Sequence, residues 1–360
     1  MRLMIPGVTV DPALTEALLA TIPADIVASM SPQMLEVMAV QATRADACRR
    51  AGEAFAAAPG DLSPAARSVA AKRAEYRTER TLWNEGGPTM ARTDDHHIRA
   101  AGVDVPIRIH RPTAEAVLPG LVFLHGGGFS LGDLDTHDRI MRVLAAAGGF
   151  AVIGVDYSLS PEVKFPQALH ECAGVVDHLV RHGEDFDIDG TRLAISGDSA
   201  GAVLTLGAGL LLRDEPETIG ANPASFSALR ALLPIYGSHG LIDSASRRLY
   251  GGDWDGMGIH DLSNLLGDYL PTPEDEHSPL VAHLTADLAG LPPVFVAAAG
   301  LDPLRDDSRA LARTLQRAGN DVRFEEYPHV LHSFLHFGRI VDDTNTVLHN
   351  AAEFAARTLS

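Results

Sequence analysis

The sequence predicts an α/β protein with a mostly parallel eight-stranded sheet, helices on both faces and a helical cap. Two observations carry this prediction. After about residue 90, short β-type runs alternate with helical stretches, which is the pattern of parallel crossovers. One of these runs, residues 193–195, leads through a glycine-flanked serine into a stretch, residues 202–212, without a charged side chain. Such a helix is apolar all round, as a helix buried under a sheet must be.

Residues 1–88 are predicted to form a helical segment. Three predicted helix starts share one sequence pattern, a capping side chain followed by proline at the first helical position. The helices are expected to end near residues 21, 57 and 84. Their starting pairs are Asp11-Pro12, Ser31-Pro32 and Ser63-Pro64.

One face of the second helix can be interpreted in two ways. Helical spacing brings together Met34, Leu35, Met38, Gln41 and Ala42. This spacing fits an ordinary core face, and it also fits the lining of a substrate pocket. Core is the favoured interpretation.

The rest of the chain gives the sheet and its covering helices. Strands are predicted at residues 96–100, 105–110, 121–124, 151–155, 193–195, 231–235, 294–298 and 322–327. Helices are predicted near residues 135–147, 167–182, 202–213, 306–318 and 338–358. Residues 237–293 break the alternation, and so long a connection inside a compact domain is usually functional. We therefore expect a catalytic domain over residues 89–360 with a cap insertion at about 237–290, to which residues 1–88 also contribute.

The first chemical motif runs from Gly197 to Gly201 and reads G-D-S-A-G. It fits the nucleophile elbow, in which a serine, here Ser199, occupies a strained turn between a strand and a helix. Gly197 and Gly201 would supply the two positions where the turn leaves no room for a side chain. The pentapeptide alone is a weak signal in a chain rich in alanine and glycine, and the flanking strand and apolar helix strengthen it.

The second motif directly follows the predicted strand at residues 121–124 and reads H-G-G-G-F. A tetrahedral acyl-transfer intermediate carries an oxyanion that needs N–H donors, and consecutive glycines let the backbone approach it closely. A triple glycine alone could be a flexible turn. Its position upstream of the elbow favours the catalytic interpretation.

A serine nucleophile also needs a base and an orienting acid, which are expected on loops after later strands. Asp302 is the carboxylate nearest to the end of the strand at 294–298. Asp306 and Asp307 instead resemble first-turn residues of the next helix, where its dipole favours them. Candidate bases after the last strand are His329, His332 and His336.

The composition argues against several classes of function. Acidic residues outnumber basic ones by 47 to 29, giving a net charge of −18, so nucleic acid and anionic membranes are poor partners. Cys48 and Cys172 lie far apart without C-x-x-C spacing, which indicates neither a disulfide framework nor a zinc site. The first residues lack the pattern of a signal peptide, and no apolar run is long enough for a transmembrane helix. We expect a cytoplasmic protein.

On these motifs the sequence resembles the hormone-sensitive-lipase family of α/β-hydrolases, and within it the bacterial acetyl esterases. The resemblance covers about residues 88–340 through HGGGFSLGDLDTHDRIMR, DYSLSPEVKFPQAL, GDSAGAVL, SASRRLYGGDWDG, DPLRDDSRAL and LHSFLHF. It implies a nucleophile, an acid and a base at Ser199, Asp302 and His332. It further implies an oxyanion hole from the N–H groups of Gly127, Gly128 and Ala200, and structural roles for His125, Gly126, Gly197 and Gly201.

The expected activity is that of a serine carboxylesterase that removes short acyl groups through an acyl-enzyme, without a metal or an organic cofactor. The preference for acetyl follows from the resemblance alone. One alternative is a broader short-to-medium-chain esterase, or a deacetylase of acetylated sugars or other small metabolites. Another is a ligand-binding protein on the same fold that has lost catalysis. A small-molecule ester is the expected partner.

Overall fold

The computed structural model of the chain describes Ile5 and residues 8–57, 63–114 and 117–360. Its strands are β1 Arg92–Ala100, β2 Val103–Arg111, β3 Leu118–Leu124, β4 Ala151–Val155, β5 Ile188–Asp198, β6 Leu229–Ile235, β7 Val294–Leu301 and β8 Val322–Leu331. They form one sheet in the order β1-β2-β4-β3-β5-β6-β7-β8. The pairs β1/β2 and β2/β4 are antiparallel, and the other neighbours are parallel.

Twelve α-helices occur in this described part of the chain. They are α1 Pro12–Leu19, α2 Ala24–Ser29, α3 Pro32–Ala56, α4 Pro64–Asn84, α5 Asp138–Gly148, α6 Gln167–His182, α7 Ala200–Asp214, α8 Ala224–Ser227, α9 Ala245–Leu249, α10 Ile259–Tyr269, α11 Arg305–Arg317 and α12 Asp342–Leu359. Each of them is too short or too polar to cross a lipid bilayer.

The core is split by the sheet into two apolar layers. Successive residues of a strand point to opposite faces, and along β3 the side chains of Leu121 and Phe123 lie in one layer while those of Val122 and Leu124 lie in the other. The first layer also contains residues of α3, α4, α5 and α12, and the second contains residues of α6, α7 and α11. The predicted fold class is confirmed, with helices on both faces of a mostly parallel sheet.

The helix starts follow the predicted capping. Asp11 Oδ1 accepts from Ala13 N at 2.9 Å, and Ser31 Oγ accepts from Met34 N at 3.0 Å. Ser63 Oγ accepts from the N–H of residue 66 at 3.2 Å. Four helices were not predicted, namely α2, α8, α9 and α10. The first three have four to six residues, too few to establish a helical period, and α10 lies in the region where the predicted alternation breaks.

The parallel strands carry all four predicted catalytic segments to one edge of the sheet. β3 ends at Leu124, immediately before the glycine loop, and β5 ends immediately before Ser199. β7 and β8 end immediately before Asp302 and His332. Carboxyl ends of parallel strands form the usual ligand-binding edge of an open α/β sheet.

Candidate active site

Ser199 lies at the sharp turn between β5 and α7. Its φ of 54° and ψ of −116° are in a sparsely populated region for a residue with a side chain, and such strain costs about 1–3 kcal/mol. A Cβ atom at Gly201 would overlap the carbonyl oxygen of Leu124. The close approach of the first turn of α7 to the end of β3 therefore requires glycine at this position.

Ser199, His332 and Asp302 form a continuous hydrogen-bonded chain. The hydroxyl of Ser199 donates to His332 Nε2 at 2.9 Å, and His332 Nδ1 donates to Asp302 Oδ2 at 2.7 Å. Asp302 is fully buried, and its Oδ1 accepts from Leu304 N at 2.8 Å. The carboxylate thus holds the proton on Nδ1 and leaves Nε2 free to accept the serine proton.

The other candidate bases lie outside this arrangement. His329 is exposed, and its Nδ1 pairs with the carbonyl of Ser29 at 2.9 Å. His336 is buried beside His137, with ring centroids 4.6 Å apart. Neither of them is hydrogen-bonded to Ser199 or Asp302.

The other candidate acids are engaged by the segment after β6. Asp306 accepts from Ser246 N at 2.9 Å. Asp307 accepts from His239 N at 2.8 Å and pairs with Arg247 at 3.1 Å. Both carboxylates therefore anchor the start of α11 to the insertion and do not reach the imidazole of His332.

The imidazole of His332 is surrounded by negative charge. Burial alone would lower its pKa, but the charge and hydrogen bond of Asp302, with smaller contributions from Asp255 and Asp198, raise the pKa above the usual 6.5. The neutral form of His332, which can accept a proton, therefore becomes dominant only at a pH above this raised pKa.

The pKa of His332 predicts the acid limb of the pH profile. Because only neutral His332 can act as a base, kcat/KM for p-nitrophenyl acetate should fall with decreasing pH, with a midpoint above 6.5. His329→Ala should leave this midpoint unchanged, since His329 lies outside the hydrogen-bonded chain. A midpoint below 6.5 in the wild-type enzyme would contradict the assignment of His332.

The glycine loop offers N–H groups next to Ser199. Gly127 and Gly128 have φ values of 123° and 59°, and a Cβ atom at Gly127 would overlap the carbonyl of Leu131. No described residue accepts a hydrogen bond from their N–H groups or from that of Ala200, the first residue of α7. In the described part of the chain, three donors are therefore free in the loop and helix start beside Ser199, one of them at the positive end of a helix.

His125 supports this loop from below. It stacks on Tyr157 with ring centroids 4.3 Å apart, and the Tyr157 hydroxyl donates to the carbonyl of His125 at 2.7 Å. Burial lowers the pKa of His125 to about 4, so its ring is neutral at physiological pH. The ring packs under the loop and makes no hydrogen bond to Ser199.

Asp198 is a buried residue whose importance the sequence analysis missed. Its Oδ1 accepts from Gly126 N at 2.8 Å, its Oδ2 accepts from the Tyr236 hydroxyl at 3.1 Å, and His137 Nε2 lies 3.4 Å away. Burial would raise its pKa, but His137 and these hydrogen bonds lower it. Asp198 therefore ties the glycine loop to the elbow. Its position directly before Ser199, the predicted nucleophile, was the available signal in the sequence.

One group of side chains has a composition that could bind a metal ion. Ligand atoms of His137, Asp198 and His336 lie within 4.8 Å of one another, and all three residues are buried. Both oxygens of Asp198 already accept hydrogen bonds. Burial and then the positive charge of Arg80 hold the pKa of His336 well below its usual value. A cation would have to displace these bonds next to a guanidinium, so the group fits support of the loop better than metal binding.

A cavity of about 290 Å³ lies over Ser199, and we call it the catalytic cavity. The glycine loop and His332 form its floor. Tyr76 and Arg80 of α4 contribute to its wall, together with Ser238 and Arg247 of the segment after β6. Its apolar lining includes Phe129, Leu131, Val203, Leu262, Leu265 and Leu266.

The comparisons with known proteins agree on one family. Residues 121–336 match the model of the alpha/beta hydrolase fold. The acetyl esterase of Salmonella choleraesuis (strain SC-B67) is 41% identical over 294 residues, which are 81% of this chain and 88% of that protein.

Solved structures agree with this match. The thermophilic carboxylesterase EstE1, cloned from a metagenomic library, has a TM-score of 0.76 and 29% identity, covering 83% of this chain and 100% of its own. The hyperthermophilic esterase from the archaeon Pyrobaculum calidifontis has a TM-score of 0.75 and 28% identity. This match covers 80% of this chain and 93% of the esterase chain. The resemblance seen in the sequence is confirmed: this chain belongs to the α/β-hydrolase fold family, in its hormone-sensitive-lipase branch, and is a carboxylic ester hydrolase.

Proposed function

We propose that this protein hydrolyses acetyl and other short acyl esters through an acyl-enzyme, with Ser199 as nucleophile, His332 as base and Asp302 as orienting acid. The observation that carries the proposal is the hydrogen-bonded chain from Ser199 Oγ through both nitrogens of His332 to Asp302, at 2.9 and 2.7 Å. The Salmonella acetyl esterase, similar over most of both chains, supports the acetyl preference.

Acylation uses the two ends of the imidazole of His332. Nε2 takes the proton of Ser199 as Oγ attacks the ester carbonyl carbon, and Asp302 stabilises the resulting imidazolium. The carbonyl oxygen becomes an oxyanion that accepts hydrogen bonds from the free N–H groups of Gly127, Gly128 and Ala200. When the intermediate collapses, the ester C–O bond breaks and Nε2 gives its proton to the leaving alcohol.

Deacylation repeats these steps with water. His332 takes a proton from the attacking water, the same N–H groups stabilise the second oxyanion, and Ser199 Oγ leaves with the proton from Nε2. The products are a carboxylic acid and the regenerated enzyme. Apart from the ester and the attacking water, every group that this route uses belongs to the chain itself.

The walls of the catalytic cavity support the cap assignment. Residues 1–88 contribute Tyr76 and Arg80, and the insertion at about 237–290 contributes the leucines of α10. A Cβ atom on Gly128 would lie 2.6 Å from Leu265 Cδ2, so α10 closes tightly over the glycine loop. We infer that this contact limits the length of the acyl group.

Acyl length gives the most direct test of the proposed specificity. We expect kcat/KM for p-nitrophenyl esters to peak between acetyl and butyryl and to drop for octanoyl. Each methylene beyond the pocket forgoes about 0.8 kcal/mol of burial and meets the cap instead. The measurement is a series of initial rates with the acetate, butyrate and octanoate.

Leu265→Ala should raise the octanoate-to-acetate ratio of kcat/KM, because it removes the side chain that packs against Gly128 of the glycine loop. Ile259→Ala is the matched control, since Ile259 lies on the same helix and is 69% exposed. Efficient hydrolysis of emulsified long-chain triglycerides by the wild-type enzyme would contradict the short-chain assignment.

We also infer a cytoplasmic location. Cys48 and Cys172 are both buried free thiols, and free thiols persist in a reducing compartment. The net charge of −18 disfavours nucleic acid and anionic membrane surfaces as partners, so the proposed partner remains a small-molecule ester.

A further inference from the structure

A second cavity of about 340 Å³ adjoins His332, and we call it the alcohol-side cavity. It shares Arg80, Asp255 and His332 with the catalytic cavity. Unlike the catalytic cavity, it is not lined by Ser199 or by the glycine loop. Much of its remaining wall comes from α3, including Met34, Met38 and Gln41.

If the proposed mechanism holds, the chemistry assigns the alcohol half of the ester to this second cavity. During acylation the acyl group is bonded to Ser199 and its oxygen faces the glycine loop, so it occupies the catalytic cavity. The leaving oxygen must lie within reach of the proton on His332 Nε2. The alcohol half therefore extends past His332, into the cavity that contacts this histidine but not the nucleophile.

Asp255 provides an acceptor in both cavities. Its Oδ1 accepts from Gly252 N at 2.9 Å and from Met257 N at 3.0 Å, which fixes the carboxyl group in a turn. Its Oδ2 is buried, and no group in the described part of the chain donates a hydrogen bond to it. Burial raises the pKa of Asp255 to about 6, so the carboxyl is still largely ionised at neutral pH.

Arg80 provides a donor to the same two cavities. It is 7% exposed, and its guanidinium lies 4.6 Å from the ring centroid of Tyr76. Arg80 Nη1 lies 2.9 Å from Glu79 Oε2, while Nε has no acceptor among the described residues. The other oxygen of Glu79 accepts from Gln41 at 2.9 Å and Trp83 at 2.8 Å, which holds the pair in position.

We propose that the alcohol-side cavity binds a hydroxyl-rich alcohol, so that the substrate is an acetylated sugar or polyol whose free hydroxyls donate to Asp255 and accept from Arg80. A hydroxyl group can do both. An ammonium group could not accept from Arg80 and would be repelled by it, and a carboxylate would be repelled by Asp255. Trp254, which also lines this cavity, provides an aromatic ring against which the C–H groups of a sugar can pack.

The test compares two acetates that differ in the hydroxyl groups of a six-membered ring, 6-O-acetylglucose and cyclohexylmethyl acetate. We expect the wild-type enzyme to favour the sugar ester by about tenfold or more in kcat/KM, because buried polar groups left without partners penalise the apolar analogue. Asp255→Ala should lower this ratio by about tenfold. Asp255→Asn should lower it less, since the amide oxygen can still accept a hydrogen bond from a hydroxyl.

Asp253→Ala is the matched control, because Asp253 is exposed two residues away, and it should leave the ratio unchanged. An equal loss for both esters in Asp255→Ala would overturn the proposal, because Asp255 would then act only through His332. A wild-type ratio at or below one would overturn it as well. Neither result would contradict the proposed esterase function. That proposal would be contradicted only if p-nitrophenyl acetate were not hydrolysed in a Ser199-dependent reaction.

A second measurement needs no variant and is independent of how Asp255→Ala folds. An alcohol bound in the cavity can replace water in deacylation. Its oxygen bonds to the acetyl carbon while His332 takes its proton, and the bond from that carbon to Ser199 Oγ then breaks as Nε2 returns the proton to Oγ. With p-nitrophenyl acetate as donor, glucose should therefore intercept the acyl-enzyme more than cyclohexylmethanol does at equal concentration, giving more acetylated product. Equal or greater transfer to cyclohexylmethanol would overturn the proposal.

Discussion

Ser199→Ala is expected to lower kcat for p-nitrophenyl acetate by about 10⁶-fold, because the three groups of such a triad act as a unit and the nucleophile forms the covalent intermediate. The fold should persist, since the replacement removes one hydroxyl and leaves the turn between β5 and α7 with the same backbone requirements. Steady-state rates and circular dichroism of the purified variant provide the measurement.

Ser196→Ala is the control for this variant. Ser196 lies three residues earlier, within β5, where its hydroxyl donates to the carbonyl of Leu233 at 3.1 Å, so its removal should leave most of the activity. A phosphonate that labels active-site serines should modify Ser199 in the wild-type enzyme. Modification of Ser196 or Ser130 instead would show that the assignment of Ser199 as the nucleophile at the elbow is wrong.

The strand-end positions of the candidate site could be predicted because they depend on local patterns. Ser199 lies in a pentapeptide whose glycines occupy the positions where the turn leaves no room for a side chain, and the apolar helix that follows it can be recognised in the sequence. The parallel sheet then places Asp302 and His332 at the same edge as Ser199. Chain order and strand ends therefore pointed to Asp302 and reduced the candidate bases to His329, His332 and His336, among which the family resemblance selected His332.

Asp198 and Asp255 could not be selected in this way, because their roles depend on contacts distant in sequence. Asp198 pairs with Gly126, 72 residues away, while Asp255 lies in a turn whose placement beside His332 depends on the packing of the insertion. Both are aspartates in short glycine-containing segments, where turn formation is the usual explanation. Only the tertiary structure separates them from ordinary turn residues.

The helix face around Met34 shows a second limit of what can be predicted from the sequence. Met34 and Met38 are buried, as the core interpretation requires, and they also line the alcohol-side cavity, as the pocket interpretation requires. Gln41 and Ala42 line the same cavity, and Leu35 does not. Hydrophobic spacing identifies the face that is turned inward, but it does not say whether a neighbouring element fills the space opposite.

Asp302→Asn is expected to lower kcat by about 10⁴-fold with the fold intact, because an amide nitrogen facing His332 Nδ1 favours the wrong tautomer of the imidazole. In the wild-type enzyme, Asp302 accepts from Nδ1 at 2.7 Å and leaves Nε2 as the acceptor for Ser199. The variant would place the ring proton on Nε2, where it cannot accept the serine proton. Loss of the Asp302 charge should also lower the pKa of His332, the opposite of its present shift.

The matched control is Asp306→Asn, four residues along the chain, whose carboxylate accepts from Ser246 N at 2.9 Å. This variant should keep most of the wild-type kcat, since Asp306 anchors the insertion and makes no contact with the imidazole of His332. Rates with p-nitrophenyl acetate should be compared at a pH well above the wild-type acid limb, so that His332 is neutral in every enzyme. An active Asp302→Asn beside an inactive Asp306→Asn would transfer the acid role to Asp306, and comparable losses in both would indicate a structural effect on the loop after β7.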